Sequence, residues 1–342
     1  MANPSATSKQ ITIQDVAAAA GVSTQTVSRV INAKPDVAEV TRERVMEAVR
    51  QLGYRPNSVA RSLVSSRTHT LGVIASPLGD PFRAEVVRSA EREARQRGYV
   101  CIITFGDGTS ETVRRMCHLL EERQVDGLLL LTPGSVPHDT IDIRLPAVAL
   151  AFPVLNGMVT NVDVDNVDGG YQAAAHLTDL GHRRICVVVG PDGWKASADR
   201  TEGARRALAA VGVSLDPSRI EVAEDWTLDA GYTAASALME RHPDTTALFC
   251  QNDLLAIGAL RLLRERGRSV PGDVSVIGYD DMPICLYTSP SLSTVRQPRE
   301  TLGRLLVQLL VDAIEQQTHS GQDVQVRAEV MPRESTAAPP CR

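Results

Sequence analysis

Apolar residues near the start of the chain recur at helical spacing, in three short stretches rather than one long one. Ile13, Val16, Ala17 and Ala20 share one face of a first helix. Thr12 opens it, and Asp15 three residues on completes a capping-box pattern that satisfies orphan backbone donors. Gly21 ends it, since glycine takes the left-handed backbone that a sharp turn demands. Ser23 caps a second helix whose inward positions are Val27 and Val30 or Ile31. Its outward positions carry Thr24, Gln25, Ser28, Arg29 and Asn32, side chains of the right length for base edges and phosphates. This pattern is the sequence form of a helix-turn-helix DNA reader. A small helical bundle with an ordinary polar surface is the alternative that the pattern alone leaves open.

The pattern then changes twice. Pro56 disfavours helix at the residue before it, and Asn57 can cap a new one in SVARSLV. That helix has only about two turns and is unstable unless something packs on it. SSRTHT follows as a polar linker. From Leu71 onward, short apolar strands alternate with amphipathic helices. Strands are expected at 71–76, 99–104, 127–131, 147–150, 185–189, 220–223, 247–250 and 274–278. Helices at 83–97, 167–180, 201–211, 230–241 and 253–266 fall between them. Buried strands separated by helices imply doubly wound parallel sheets. Two such sheets in tandem make a bilobed α/β core with a cleft between the lobes.

Composition narrows the class. A chain of 342 residues, 43% of them hydrophobic, has material for two or three domains with sizeable cores. It has no apolar run long enough to span a bilayer, and MANPSATSKQ lacks a signal peptide's apolar segment. A cytoplasmic protein without a membrane partner is expected. Six cysteines show no CxxC pair and no metal-ligand spacing, so neither a metal nor a cofactor is expected. Cys101, Cys117, Cys186 and Cys250 sit in or near apolar runs, as small buried hydrophobes do. The net charge of −5 hides an asymmetry: residues 1–69 carry +4 and the remainder −9. A basic head on an acidic body suits binding a polyanion through one end.

No nucleophile elbow, Walker loop, HExxH or glycine fingerprint occurs. Gly278-Tyr279-Asp280-Asp281 puts two acids at a strand end, either as paired carboxylates for hydrolysis or as the lining of a cleft. An enzyme is not expected, because no catalytic group is assembled around them.

GVSTQTVSRVIN, followed by TRERVMEAVRQLGYRPNSVARSL, resembles the headpiece of the LacI family of bacterial repressors over Ile11–Leu63. The resemblance implies DNA contacts from Ser23, Thr24, Gln25, Thr26, Ser28, Arg29 and Asn32. From the hinge it adds Asn57, Ala60 and Leu63, the leucine wedging into the minor groove. It extends to Arg333-Glu334-Ser335-Thr336 and implies a core of the periplasmic sugar-binding-protein fold, with three strands crossing between lobes. The expected divisions are a headpiece at 1–57, a hinge at 58–69 and a core at 70–342. Within the core, one lobe takes 70–166 and 297–323, the other 167–296 and 324–336.

The same resemblance points to effector-binding residues. Asp280 would accept hydrogen bonds from the effector. Asp80-Pro81-Phe82 matches the family's N-P-F segment with Asp in place of Asn, and Phe82 either stacks on a sugar ring or is plain core. Arg83 stands where many members have a second aromatic. Arg200 begins an RxxG match, and its planar guanidinium suits hydroxyls or a carboxylate. Trp226 aligns with an aromatic that caps the ligand, Asn252 supplies a hydrogen bond, and Asp253 either joins it or only caps its helix. Trp194 offers an extra stacking face. These residues favour a polyhydroxylated ligand, a sugar above all. The expected protein is therefore a dimeric, effector-controlled repressor on palindromic operator DNA. A homodimer is expected because MPRESTAAPPCR shows no apolar heptads. The competing readings are a freestanding sugar receptor, disfavoured by the headpiece, and an enzyme of the sheet-and-cleft type.

Overall fold

A computed structural model describes residues 11–31, 36–54, 67–76, 81–132, 143–151, 159–316 and 321–340. The chain divides into two compact units, residues 1–68 and 69–342.

In the first unit, α1 (Ile13–Ala20), α2 (Thr24–Ile31) and α3 (Glu39–Leu52) bury one small core. Val16, Ala17 and Ala20 of α1 meet Val27 and Val30 of α2 and Val45 and Ala48 of α3. The capping box forms: the Thr12 amide donates to Asp15 Oδ2 at 2.7 Å, and the Asp15 amide to Thr12 Oγ1 at 3.4 Å. Gly21 sits at φ 63°, which lets the Val22 amide turn back to the Ala17 carbonyl at 3.0 Å. That turn sets α2 across α1 with its polar face outward.

The second unit opens with β1 (Thr70–Ala75), α4 (Pro81–Gln96), β2 (Val100–Phe105), α5 (Ser110–Glu122), β3 (Gly127–Leu131), β4 (Ala147–Leu150) and β5 (Thr160–Val164). With β11 (Asp323–Val326) these strands form a parallel sheet in the order β11-β5-β4-β3-β1-β2. A second lobe follows: α6 (Asn166–Asp179), β6 (Ile185–Val189), α7 (Lys195–Ala210), β7 (Ile220–Val222), α8 (Leu228–Arg241), β8 (Ala247–Cys250), α9 (Asp253–Glu265) and β9 (Ser275–Ile277). Its parallel sheet runs β7-β6-β8-β9. Every residue of β3 and of β6 is buried, as strands covered by helices on both faces must be.

Three passages of chain join the lobes. β5 leads into α6; β10 (Thr294–Arg296) leads into α10 (Arg299–Gln316), which packs on α4 of the first lobe; β11 leads into β12 (Glu329–Met331). β10 and β12 pair antiparallel, and β10 continues the second lobe through bridges at Ile277–Ser293 and Asp280–Arg296. The last passage was expected after residue 323, but β11 stays paired to β5 through Val326. The helix expected at 201–211 begins at Lys195, where the N-cap Trp194 offers no side-chain acceptor to advertise the start. Cys101, expected as buried, is only half-buried, because β2 is an edge strand. Cys117, Cys186, Cys250 and Cys285 are buried thiols.

Candidate functional site: a recognition helix and a ligand cleft

Two sites emerge, one in each unit. On α2, Thr24, Gln25 and Arg29 are exposed, while Thr26 and Ser28 are half-buried. Ser23 Oγ accepts from the Thr26 amide at 3.1 Å, so the helix begins at a side chain that also stands on the exposed face. Arg29 Nη1 lies 3.1 Å from Asp36 Oδ2, a partner that sequence spacing did not reveal. Exposed guanidinium and amide groups beside short hydroxyls on one helix face can read base edges and hold phosphates. Asn32, Asn57, Ala60 and Leu63 lie outside the described residues.

The second site is a cleft of about 730 Å³ at the carboxyl ends of the strands of both lobes. Phe82, Trp194, Arg200, Trp226, Asn252 and Asp280, read from distant parts of the sequence, all line it. Asp80 lies outside the described residues. A larger groove of about 810 Å³ runs between α4 and the Arg296–Thr301 segment. Arg88 there is paired to Glu85, Arg296 to Asp281 and Glu300 to Arg92, and Arg299 donates to the Asp281 carbonyl, so the groove's charges are already engaged.

Trp194 and Trp226 form one apolar wall, with ring centroids 5.7 Å apart at 82°. Trp226 fits because Gly190 has no side chain; a Cβ there would collide with the indole. The indole Nε1 of Trp226 and the hydroxyl of Ser76 are buried in the cleft without a hydrogen-bond partner among the described residues. Such groups carry a desolvation cost in the free protein.

The floor is polar. Arg200 Nε donates to Asn166 Oδ1 at 2.9 Å and Nη1 to the Gln251 carbonyl at 2.6 Å. Its guanidinium lies 3.7 Å from the centre of the buried Tyr279 ring. Burial pushes the Tyr279 phenol up to about 12, so it stays neutral beside that cation. Asp280 has φ 114° and Asp281 φ 52°, left-handed backbone that side-chain-bearing residues seldom adopt. Neighbours enforce it: the Asp280 amide donates to the Val295 carbonyl at 2.8 Å, and Arg296 Nε bonds Asp281 Oδ2 at 2.6 Å. Burial raises the Asp281 pKa, but ion pairs with Arg333 and Arg296 bring it below the usual carboxylate value. The two acids therefore part company. Asp281 is locked into the passages between the lobes, while Asp280 faces the cleft, its Oδ1 accepting from Gln297 Nε2 at 2.5 Å.

Asn252 and Asp253 divide labour differently from the expectation. Asn252 caps α9, its Oδ1 accepting from the Leu255 amide at 2.8 Å, and it lines the cleft. Asp253, fully buried, accepts from the Met282 amide at 2.8 Å and from Thr294 Oγ1 at 2.5 Å. Burial lifts its pKa to about 6. It staples the acidic loop and is absent from the lining.

Sequence reasoning missed Asp163, Asn166, Lys195 and Gln297, all of which line the cleft. Gln297 carried no signal, being one glutamine in a passage between lobes. Asp163 had a faint one, as an acid interrupting an apolar strand. Arg83, noted only as a departure from an aromatic, is buried with Nη1 donating to the Leu131 carbonyl at 2.9 Å and its guanidinium 5.9 Å from the Trp194 ring.

A helix-turn-helix unit joined to a two-lobed ligand-binding core defines an effector-responsive DNA-binding regulator. Residues 12–57 match the profile of the bacterial regulatory proteins of the lacI family, and residues 174–336 match the periplasmic binding protein-like domain. The chain is 38% identical to the HTH-type transcriptional regulator CelR of Thermobifida fusca, over 95% of its own length and 98% of that protein's. It is 35% identical to the ribose operon repressor of Escherichia coli (strain K12), over 95% and 99%. Among solved structures, the Lac repressor dimer bound to operator and the anti-inducer ONPF superposes with a TM-score of 0.83 at 28% identity, covering 96% of this chain and all of that one. The CelR–cellobiose complex superposes with a TM-score of 0.71 at 36% identity, covering 95% and 99%. The chain belongs to the lacI family of bacterial regulatory proteins and is a DNA-binding transcriptional regulator, not an enzyme. No described helix is long and apolar enough to cross a membrane.

Proposed function

We infer that this regulator is a cytoplasmic repressor, binds a palindromic operator as a homodimer and releases or holds it according to a saccharide in the cleft. One observation carries the ligand reading. Aromatic walls at Phe82, Trp194 and Trp226 face a floor of Arg200, Asn252 and Asp280. Saccharides present that combination, apolar ring faces edged by hydroxyls. A volume of about 730 Å³ leaves room for more than one sugar ring, and the CelR relative is solved with cellobiose. Cellobiose is therefore the first ligand to test.

The dimer reading rests on apolar side chains left at the surface. Val100, Ile103 and Phe105 stand exposed on the edge strand β2, and Ile284, Leu286 and Tyr287 follow β9 in the second lobe. A self-complementary patch on each lobe would let cleft closure in both protomers move their headpieces together. On DNA, Thr24, Gln25 and Arg29 would read bases while Ser23, Thr26, Ser28 and Asn32 hold the backbone. From the hinge, Asn57 and Ala60 would contact DNA and Leu63 would enter the minor groove. Phe82, Trp194, Arg200, Trp226, Asn252 and Asp280 would hold the effector, and Asp80, read from the sequence alone, would join them.

Fluorescence anisotropy with an operator-bearing duplex tests the whole reading. The full chain should bind as a dimer with a salt-dependent affinity, and cellobiose should shift that affinity by a coupling of about 1–3 kcal/mol. Tight DNA binding that no saccharide changes would refute the ligand reading and leave the DNA reading standing.

A further inference from the structure

Asp163, the penultimate residue of β5 in the first lobe, is only 6% exposed and lines the cleft. Its Oδ1 accepts from the Val164 amide at 2.7 Å and from Asn166 Nδ2 at 3.5 Å, which fixes the direction of the carboxyl. Oδ2 accepts no hydrogen bond among the described residues. The charged and titratable groups that act on it are Lys195, Asp199 and Arg200 on α7 and Tyr279 beyond β9; Asp280 lines the same cleft, and Asp165 follows two residues on. Lys195 is already paired with Asp199, and Arg200 is tied to Asn166 and Gln251, so neither closes an ion pair with Asp163. Burial pushes its pKa up to about 6 against the pull of Lys195 and Arg200.

We propose that Asp163 is a direct acceptor for effector hydroxyls, a third polar anchor beside Asp280 and Arg200, and that it selects a neutral saccharide over an acidic one. The proposal rests on the reading of the cleft as a saccharide site. An ionised, partly desolvated carboxylate accepts strong charge-assisted hydrogen bonds from hydroxyls. A ligand carboxylate in the same place meets like charge and binds well only when Asp163 is protonated. The two ligand classes therefore carry opposite signs. A neutral sugar favours the ionised form, so its affinity is lost as pH falls through about 6; an acidic sugar's affinity is gained there.

The test titrates the full chain with cellobiose, maltose, glucose, ribose and glucuronate, read by tryptophan fluorescence. Wild type is compared with Asp163→Asn at about pH 5 and about pH 7.5. The neutral saccharide that binds should weaken about tenfold at the lower pH, the loss of ionised fraction one unit below a pKa of about 6. Asp163→Asn should weaken it about tenfold at the higher pH and abolish the pH dependence. Asp253, with a pKa also raised to about 6, and the buried imidazoles His176 and His182 stay in that variant, so a pH dependence that survives Asp163→Asn belongs to another group and overturns the proposal. Glucuronate binding more tightly than any neutral sugar at the higher pH overturns it as well. Equal saccharide binding by wild type and variant sinks this proposal alone, whereas no saccharide binding to wild type sinks the underlying reading of the cleft. Operator binding checks that the variant folds; if it does not, the sign of the wild-type pH profile decides.

Discussion

Trp194 and Trp226 meet edge to face at 5.7 Å in the wall of the cleft, and they are the only two tryptophans in the chain. Trp226 reaches that position because Gly190 yields the space, and it arrives with its Nε1–H buried and without a hydrogen-bond partner among the described residues. Trp226→Phe keeps most of the apolar face and removes the unsatisfied donor. The free protein should melt at the same temperature or slightly higher, while effector affinity falls by about 1–2 kcal/mol. Differential scanning fluorimetry and ligand titration separate the two effects. A variant that melts lower and binds equally well would show that the N–H serves the fold.

Arg29 is held at the surface by Asp36 at 3.1 Å, with both side chains about half exposed. Such a pair contributes little to stability, so its main consequence is to aim and partly neutralise the guanidinium. Asp36→Ala should leave the melting temperature nearly unchanged and strengthen binding to random DNA. Arg29→Ala should cost about 1–3 kcal/mol on the operator and much less on random DNA. Competition anisotropy on both duplexes measures the ratio, and equal losses would assign Arg29 to phosphate.

Arg200 and Asp280 should both be needed for effector response, but at different structural expense. Arg200→Ala strips a donor from Asn166 and from the Gln251 carbonyl and uncovers Tyr279, so it should destabilise by a few kcal/mol. Asp280→Asn keeps an oxygen for Gln297 and should fold normally. Operator binding by Asp280→Asn that no longer responds to the saccharide bound by wild type supports its role as an anchor; a full response would refute it.

Leu63 lies outside the described residues, and its proposed role is read from the sequence alone. Leu63→Ala should weaken operator binding and leave effector affinity unchanged, as loss of a minor-groove wedge would. One base pair inserted at the operator's centre should weaken wild-type binding, because a dimer fixes the half-site spacing. If neither change matters, the hinge is only a tether.

The headpiece was legible in the sequence because its determinants are local. Thr12 and Asp15 are one turn apart, Gly21 needs only its own φ, and the faces of α1 and α2 follow from a period of 3.6 residues. The buried strands β3, β6 and β8 were equally legible, since strands covered on both faces are short unbroken apolar runs. Phe82, Trp194, Arg200, Trp226, Asn252 and Asp280 were nameable through resemblance to a family, but not their mutual placement. β10, β11 and β12 were not legible: they are three or four residues long, and their partners lie far away in sequence. The division between Asp280 and Asp281 likewise needed the tertiary structure. Adjacent and chemically identical, they differ because Arg296 and Arg333, from two separate passages between the lobes, converge on one and leave the other to Gln297 and the cleft. Asp163 was decided the same way, since burial and the company of α7 are properties of the packed lobes that no local pattern encodes.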